Sequence, residues 1–98
     1  MNIDEALLKE IIEISKNHSE INKVVLFGSR AREDNGARSD IDLAIYCEDS
    51  IVDFIEDIEN NTTTLLEFDF SDMKLVNDEV FIEQVNKEGI IIYEKYWF

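Results

Sequence analysis

The sequence predicts a small α/β domain of the α+β kind, with one mixed sheet of about four strands and helices packed against it. Three observations predict this. Stretches with the 3.6-residue period of a helix alternate with short runs rich in β-branched and aromatic residues. Hydrophobic residues make up 45% of the 98-residue chain, enough for one modest core and one domain. No proline, repeat, linker or low-complexity tract interrupts the pattern.

The elements follow in order. Ile3, Leu7, Leu8, Ile11 and Ile12 lie on one face of a first helix. Asn2 reads as its cap, with Glu5 as the capping-box acid. Asn17-His18-Ser19 ends it and leaves His18, the single histidine, as a solvated helix-end residue. Lys23 to Phe27 is a nearly continuous apolar strand, as expected near the middle of a sheet covered on both faces. Gly28-Ser29 turns the chain, Arg30 to Glu33 start a short helix with Ser29 at its N-terminus, and Asp34-Asn35-Gly36 is a loop.

Asp40 to Tyr46 is the second strand. Ser50 caps the next helix, with Asp53 at its third position and Ile51, Val52, Phe54, Ile55 and Ile58 as its buried face; Asn60-Asn61 stops it. Thr62 to Phe70 reads as the third strand. Asn77 caps a last helix with Asp78 and Glu79 in its first turn, matching the helix dipole. Val80, Phe81, Ile82 and Val85 supply its contacts and Gly89 ends it. Ile90 to Tyr93 closes the sheet. The aromatic tail from Tyr93 to Phe98 either folds back on the domain or forms a partner-binding patch.

The chemistry concentrates between Val24 and Ile45. Side chains alternate along a strand, so Asp40 and Asp42 share one face while Ile41, Leu43 and Ile45 enter the core. Two like charges about 5–7 Å apart on one strand face repel unless they are solvated, protonated or bridged by a divalent cation. Mg²⁺ takes a few carboxylates, several waters and substrate phosphate oxygens. Gly28 permits a tight turn and close approach of backbone N–H groups to a ligand, Ser29 adds a hydroxyl, and the start of a helix favours anions. The spacing G-S-x10-D-x-D therefore sets a phosphate turn and a cation pair at fixed separation.

Net charge is −14, from 23 acidic and 9 basic side chains. Such a surface repels nucleic acid, whose affinity comes largely from phosphate neutralisation, and suits a basic protein partner or simple solubility. Against it, Arg30, Arg32 and Arg38 cluster beside the Gly-Ser turn, where they either meet triphosphate charge, Arg32 foremost, or pair with surface acids. Cys47 reads as a small packing residue. One histidine and one cysteine do not build a zinc site. No leader or spanning run appears, so a cytoplasmic protein is expected. Self-association is left open.

The segments LFGSRAR and SDIDLAI together resemble the signature of the DNA polymerase β-type nucleotidyltransferase fold. More closely, the chain is similar over nearly its whole length to the minimal nucleotidyltransferases, the antitoxin partners of HEPN-domain toxins. Phe68-Asp69-Phe70-Ser71-Asp72-Met73 matches the family's later acidic strand, so the resemblance implies Asp69 as a third carboxylate; Glu67, on the same face, is either a further one or exposed. Where the family often has Gly after the Ala-Arg pair, this chain has Glu33, with Gly36 nearby.

The resemblance implies two Mg²⁺ ions held by Asp40, Asp42 and Asp69. It implies ATP as donor, with its phosphates at Gly28, Ser29, Arg30 and Arg32. It also implies transfer of AMP to a tyrosine of a HEPN toxin, since this short chain lacks the extra helical domain of larger relatives. Two other functions fit the same residues: a binding module that inhibits its partner by occlusion, and the catalytic subunit of a small-molecule nucleotidyltransferase, for example one acting on aminoglycosides.

Overall fold

The computed structural model describes residues 1–96. In chain order the elements are α1 (Glu5–Lys16), β1 (Ile21–Phe27), α2 (Ser29–Arg32), β2 (Ile41–Cys47), α3 (Val52–Asn61), β3 (Phe68–Asp72), α4 (Glu79–Glu88) and β4 (Ile90–Glu94). The strands form one sheet in the order β3-β2-β1-β4. β1 is antiparallel to both β2 and β4, and β2 is parallel to β3, so the sheet is mixed as predicted. The expected fold class, an α+β domain with a sheet of four strands, is what the chain adopts.

One face of the sheet lies under α1 and α3, which also touch each other. Ile11, Ile21, Val24, Leu26, Ile41, Leu43, Ile45, Phe54 and Ile58 are fully shielded there. The other face carries a smaller cluster of Val25, Ala44 and Val85, flanked by Phe27, Tyr46, Met73 and Phe81, with α4 laid across it. Phe81 meets Phe27 edge to face, ring centroids 5.5 Å apart.

Several expectations are corrected by tertiary structure. The cap of α1 is Asp4, whose carboxylate accepts from Ala6 N, and not Asn2. Asn2 instead bonds to Arg30 through both its N–H and its carbonyl. Asp78 and not Asn77 caps α4, accepting from Val80 N and Phe81 N. Ser50 Oγ does accept from Val52 N, but the cap position of α3 falls on Ile51.

Val52 and Val80 are exposed at 55% and 76%, because the 100° step per residue carries each of them off its helix's packed stripe. β3 starts at Phe68, six residues later than its composition suggests. A strand needs a partner, and β2 begins pairing only at Ile41, opposite Phe68. Before that point Thr63 is tied to α1 through Glu10, and Leu65 stands wholly in solvent.

His18 is not solvated. Its ring lies edge-on to Phe54, with Nδ1 3.1 Å from Glu20 Oε2 and Nε2 2.8 Å from Asp57 Oδ2. Burial pulls its pKa down, but the hydrogen bonds and charges of Asp57 and Glu20 outweigh that and leave it raised. Gly89 ends α4 for want of space rather than for a left-handed turn. Its backbone is extended, and a Cβ there would collide with Val85 O and crowd Val25 Cγ1 at 2.5 Å. In the tail, Tyr93 is buried in β4 and Tyr96 is exposed, while Trp97 and Phe98 lie outside the described residues.

Candidate active site

β1 delivers the chain to Gly28, which holds φ at 74° and caps α2. Only glycine adopts this conformation without strain, and here it has a second task. A Cβ at Gly28 would collide with the Asp42 carboxylate, so the bare backbone leaves room for that side chain. Ser29 is the first residue of α2 and makes no side-chain cap bond. Ala31 N and Arg32 N both donate to Gly28 O, closing the turn. The amides of Ser29 and Arg30 sit in the first turn, where no intrahelical acceptor exists. α2 is four residues long, so its dipole is small; anion binding here rests on amides and side chains.

Asp42 lies on β2 opposite Phe27, next to this turn. The parallel pairing of β2 and β3 sets Asp69 directly beside Asp42 in register, about 5 Å away across neighbouring strands. Asp40 is exposed and precedes β2 by one residue. Asp42 and Asp69 are thus neighbours, Asp42 lies against the glycine turn, and Asp40, two residues before Asp42, is near enough for its charge to act on it. Burial first, then the charges of Asp69 and Asp40, push the Asp42 pKa up, and Arg32 works against them. Glu67 is exposed and its carbonyl accepts from Ile41 N, which leaves its side chain without an assigned task.

These carboxylates feel one another, yet among the described residues no three His, Cys, Asp or Glu side chains converge closely enough to hold an ion. The two facts are compatible. Repulsion between charges acts across several ångströms, whereas Mg²⁺ ligation requires oxygens at about 2.1 Å. The donor set itself fits a divalent cation: it is all oxygen, crowded in like charge, and kept clear by Gly28.

The arginines separate. Arg32 is half-exposed and pairs with Asp34 at 3.0 Å and with Glu88 of α4 at 2.9 Å. It is close enough to the site for its charge to act on Asp42. Arg30, expected beside the phosphates, is buried, and three backbone carbonyls occupy its guanidinium. Burial this deep withdraws it from a ligand at the turn. Arg38 is exposed on the loop leading to Asp40.

Glu88 carries no signal of a role here in the sequence, because only the packing of α4 brings it to Arg32. Glu33 holds φ at 66°, the left-handed region that favours glycine, with its carboxylate 3.1 Å from the Met1 amino group. The resemblance leads one to expect glycine at this position, and the left-handed backbone is the conformation that glycine suits.

A family model described as "Polymerase beta, Nucleotidyltransferase" matches residues 9–96, and the chain belongs to that family. No curated protein matches it.

Among solved structures, it is similar to a chain of a toxin-antitoxin complex with AMP-PNP. The two are 18% identical over 91% of this chain and 74% of that one, with a TM-score of 0.67. It is also similar to chains of two mutants of the toxin-antitoxin MntA-HpeT. One is 19% identical over 97% of this chain and 76% of that one, at TM-score 0.67. The other is 16% identical over 91% and 74%, at 0.66. At such identities the likeness is one of fold. Among the described residues no helix is long and apolar enough to cross a membrane.

Proposed function

We propose that this protein is a nucleotidyltransferase antitoxin that moves AMP from ATP onto a tyrosine of a HEPN-type toxin. The observation that carries this reading is the register of Asp42 with Asp69, beside a glycine whose missing side chain clears the Asp42 carboxylate. The fold shared with toxin-antitoxin chains, one of them with AMP-PNP, supports the kind of partner and donor. The net charge of −14 suits a basic partner.

In this reading Asp40, Asp42 and Asp69 hold divalent cations, Mg²⁺ in the resemblance. When bound, such ions neutralise the triphosphate and acidify the acceptor hydroxyl. The chain's own groups do the rest. The amides of Ser29 and Arg30 hold phosphate oxygens, and Arg32 exchanges its acidic neighbours for phosphate. Asp69, on the open side of the pair, orients the tyrosine hydroxyl and takes up its proton. The phenolic oxygen bonds to the α-phosphorus, the bond to the β-phosphate bridging oxygen breaks, and pyrophosphate leaves. Positioning and charge neutralisation are the main demands of such a transfer.

The test is intact mass spectrometry of the partner after incubation with the protein, ATP and Mg²⁺. The expected gain is one adenylyl group or more, absent with Asp42→Asn. An unmodified partner at every protein concentration would overturn the transferase reading.

A second reading, inhibition by occlusion, is favoured because among the described residues no three acids stand in ligand geometry. An Asp40→Asn/Asp42→Asn double variant separates the two. Under catalysis it fails to neutralise the toxin, and under occlusion it still does.

A further inference from the structure

We propose that Arg30 is a positioning residue for Asp40, an inference that rests on the nucleotidyltransferase reading. Arg30 is 6% exposed. Its Nε donates to Ser39 O at 3.0 Å, Nη1 to Asn2 O at 3.1 Å and Nη2 to Ala37 O at 3.3 Å. Among the described residues it has no carboxylate partner, although the chain is rich in acids. A buried charge without a counter-ion is a costly way to fill space; an apolar side chain of similar volume would do that with less penalty. The fork therefore has a task that needs its geometry.

Asp40 supplies the task. It lies outside β2, which begins at Ile41, so no strand pairing holds it. What holds it is the loop before it. Ser39 O belongs to the peptide group shared with Asp40, and Arg30 grips that oxygen together with Ala37 O, across the turn at Ala37-Arg38. Ser39 Oγ accepts from Gly36 N at 2.9 Å and Ser39 N donates to Gly36 O, which closes the same loop from within. Arg30 itself follows the Gly28-Ser29 turn by one residue, on α2. One planar guanidinium thus references Asp40 to the phosphate turn, while Asp42 and Asp69 are referenced to each other by the sheet. Lysine would keep the charge but could not bridge carbonyls in a fixed fork.

The experiment compares wild type, Arg30→Lys, Asp40→Asn and the double variant, using Mn²⁺ alone as probe and its thermal upshift as readout. Arg30→Lys is expected to weaken Mn²⁺ binding about ten-fold, the loss seen when outer-shell partners of metal ligands are changed. The double variant should lose little beyond Asp40→Asn alone, because both changes remove the same ligand. Hydrogen exchange in residues 36–40 of the metal-free protein should quicken in Arg30→Lys. A purely structural Arg30 would lower the melting temperature yet leave Mn²⁺ affinity within two-fold, or make the losses additive; either outcome overturns the proposal. If Arg30→Lys does not fold, Arg30→Ala supplemented with guanidinium ion replaces it, and restored Mn²⁺ affinity is the expected result; failure to restore it in a refolded protein counts against the clamp. A wild type without Mn²⁺ response shows that the aspartates take the ion only together with substrate phosphate oxygens, and the transferase reading then stands or falls on the mass-spectrometric test. The clamp is then judged on exchange at residues 36–40 alone, and unchanged exchange overturns it.

Discussion

On one side of the sheet, Ile41, Leu43 and Ile45 of β2 disappear beneath α1 and α3. On the other, their strand neighbours Asp42 and Tyr46 keep partial access to solvent, and α4 buries a single residue, Val85. The same seven-residue strand thus serves two environments. The closed face supplies stability through apolar area removed from water. The open face tolerates crowded carboxylates, which weaken the fold, because the closed face carries most of the burden. Changes to each face should therefore differ in sign as well as in size.

The largest effect should come from the closed face. Phe54 is fully buried and also backs the His18 ring. Phe54→Ala should cost about 3–5 kcal/mol, the range for large-to-small aromatic changes in a core. Urea denaturation measures it. A loss under about 1 kcal/mol would mean that this face is far less well packed than its burial suggests.

Gly28→Ala comes next and tests the border between the faces. The alanine must hold φ at 74° and must displace the Asp42 carboxylate. Backbone strain of this kind costs about 1–3 kcal/mol. The change should also abolish any stabilisation by divalent cations. A variant that keeps both stability and cation response would show that the glycine is not a cradle for Asp42.

These two positions also show what can be read from residues alone. Phe54 is legible as core because it falls on a helical stripe with Ile51 and Ile58, and Gly28 is legible as a turn because an apolar strand runs into it. The alternation that sends Ile41, Leu43 and Ile45 inward is equally plain. The rest depends on what packs against what. Arg30 and Arg32 look alike in sequence, yet one is consumed by three carbonyls and the other reaches acids on α2's own exit and on α4. Thr62 to Glu67 have strand composition but no strand partner. His18 resembles a helix-end residue until α3 brings Asp57 to it. Local propensity carries no information about such meetings.

The His18 cluster gives the closed face a small pH signature, because solvent reaches and screens its charges. His18 has a raised pKa and Asp57 a lowered one. The sign for a raised histidine is that its stabilisation is complete below its ordinary value of 6.5 and is lost as pH rises through the raised one. For the lowered aspartate, stabilisation is present above its ordinary value of 3.8 and is lost as pH falls through the lowered one. The melting temperature should therefore be highest between these ordinary values, other groups being equal. His18→Gln should flatten its decline on the alkaline side. An unchanged slope would place the decline elsewhere.

The smallest effect has the opposite sign. The Asp42 pKa is raised by burial and by Asp69 and Asp40. The native state therefore holds the Asp42 proton more tightly than the unfolded chain does, and stability falls as pH rises from about 3.8 through the raised value. Above that window the ionised carboxylate is a net liability to the metal-free fold. Asp42→Asn removes the charge with little change of shape, so at neutral pH it should stabilise the metal-free protein. The gain should be only about 0.5 kcal/mol, because solvent screens a carboxylate this accessible. The same variant should lose the stabilisation that Mn²⁺ or Mg²⁺ confers on wild type, so that adding the ion reverses their order. A chelator-to-metal comparison of the two melting curves reads both signs at once. If Asp42→Asn instead destabilises the metal-free protein, Asp42 belongs to the structural framework, and the division of labour between the two faces fails where it matters most.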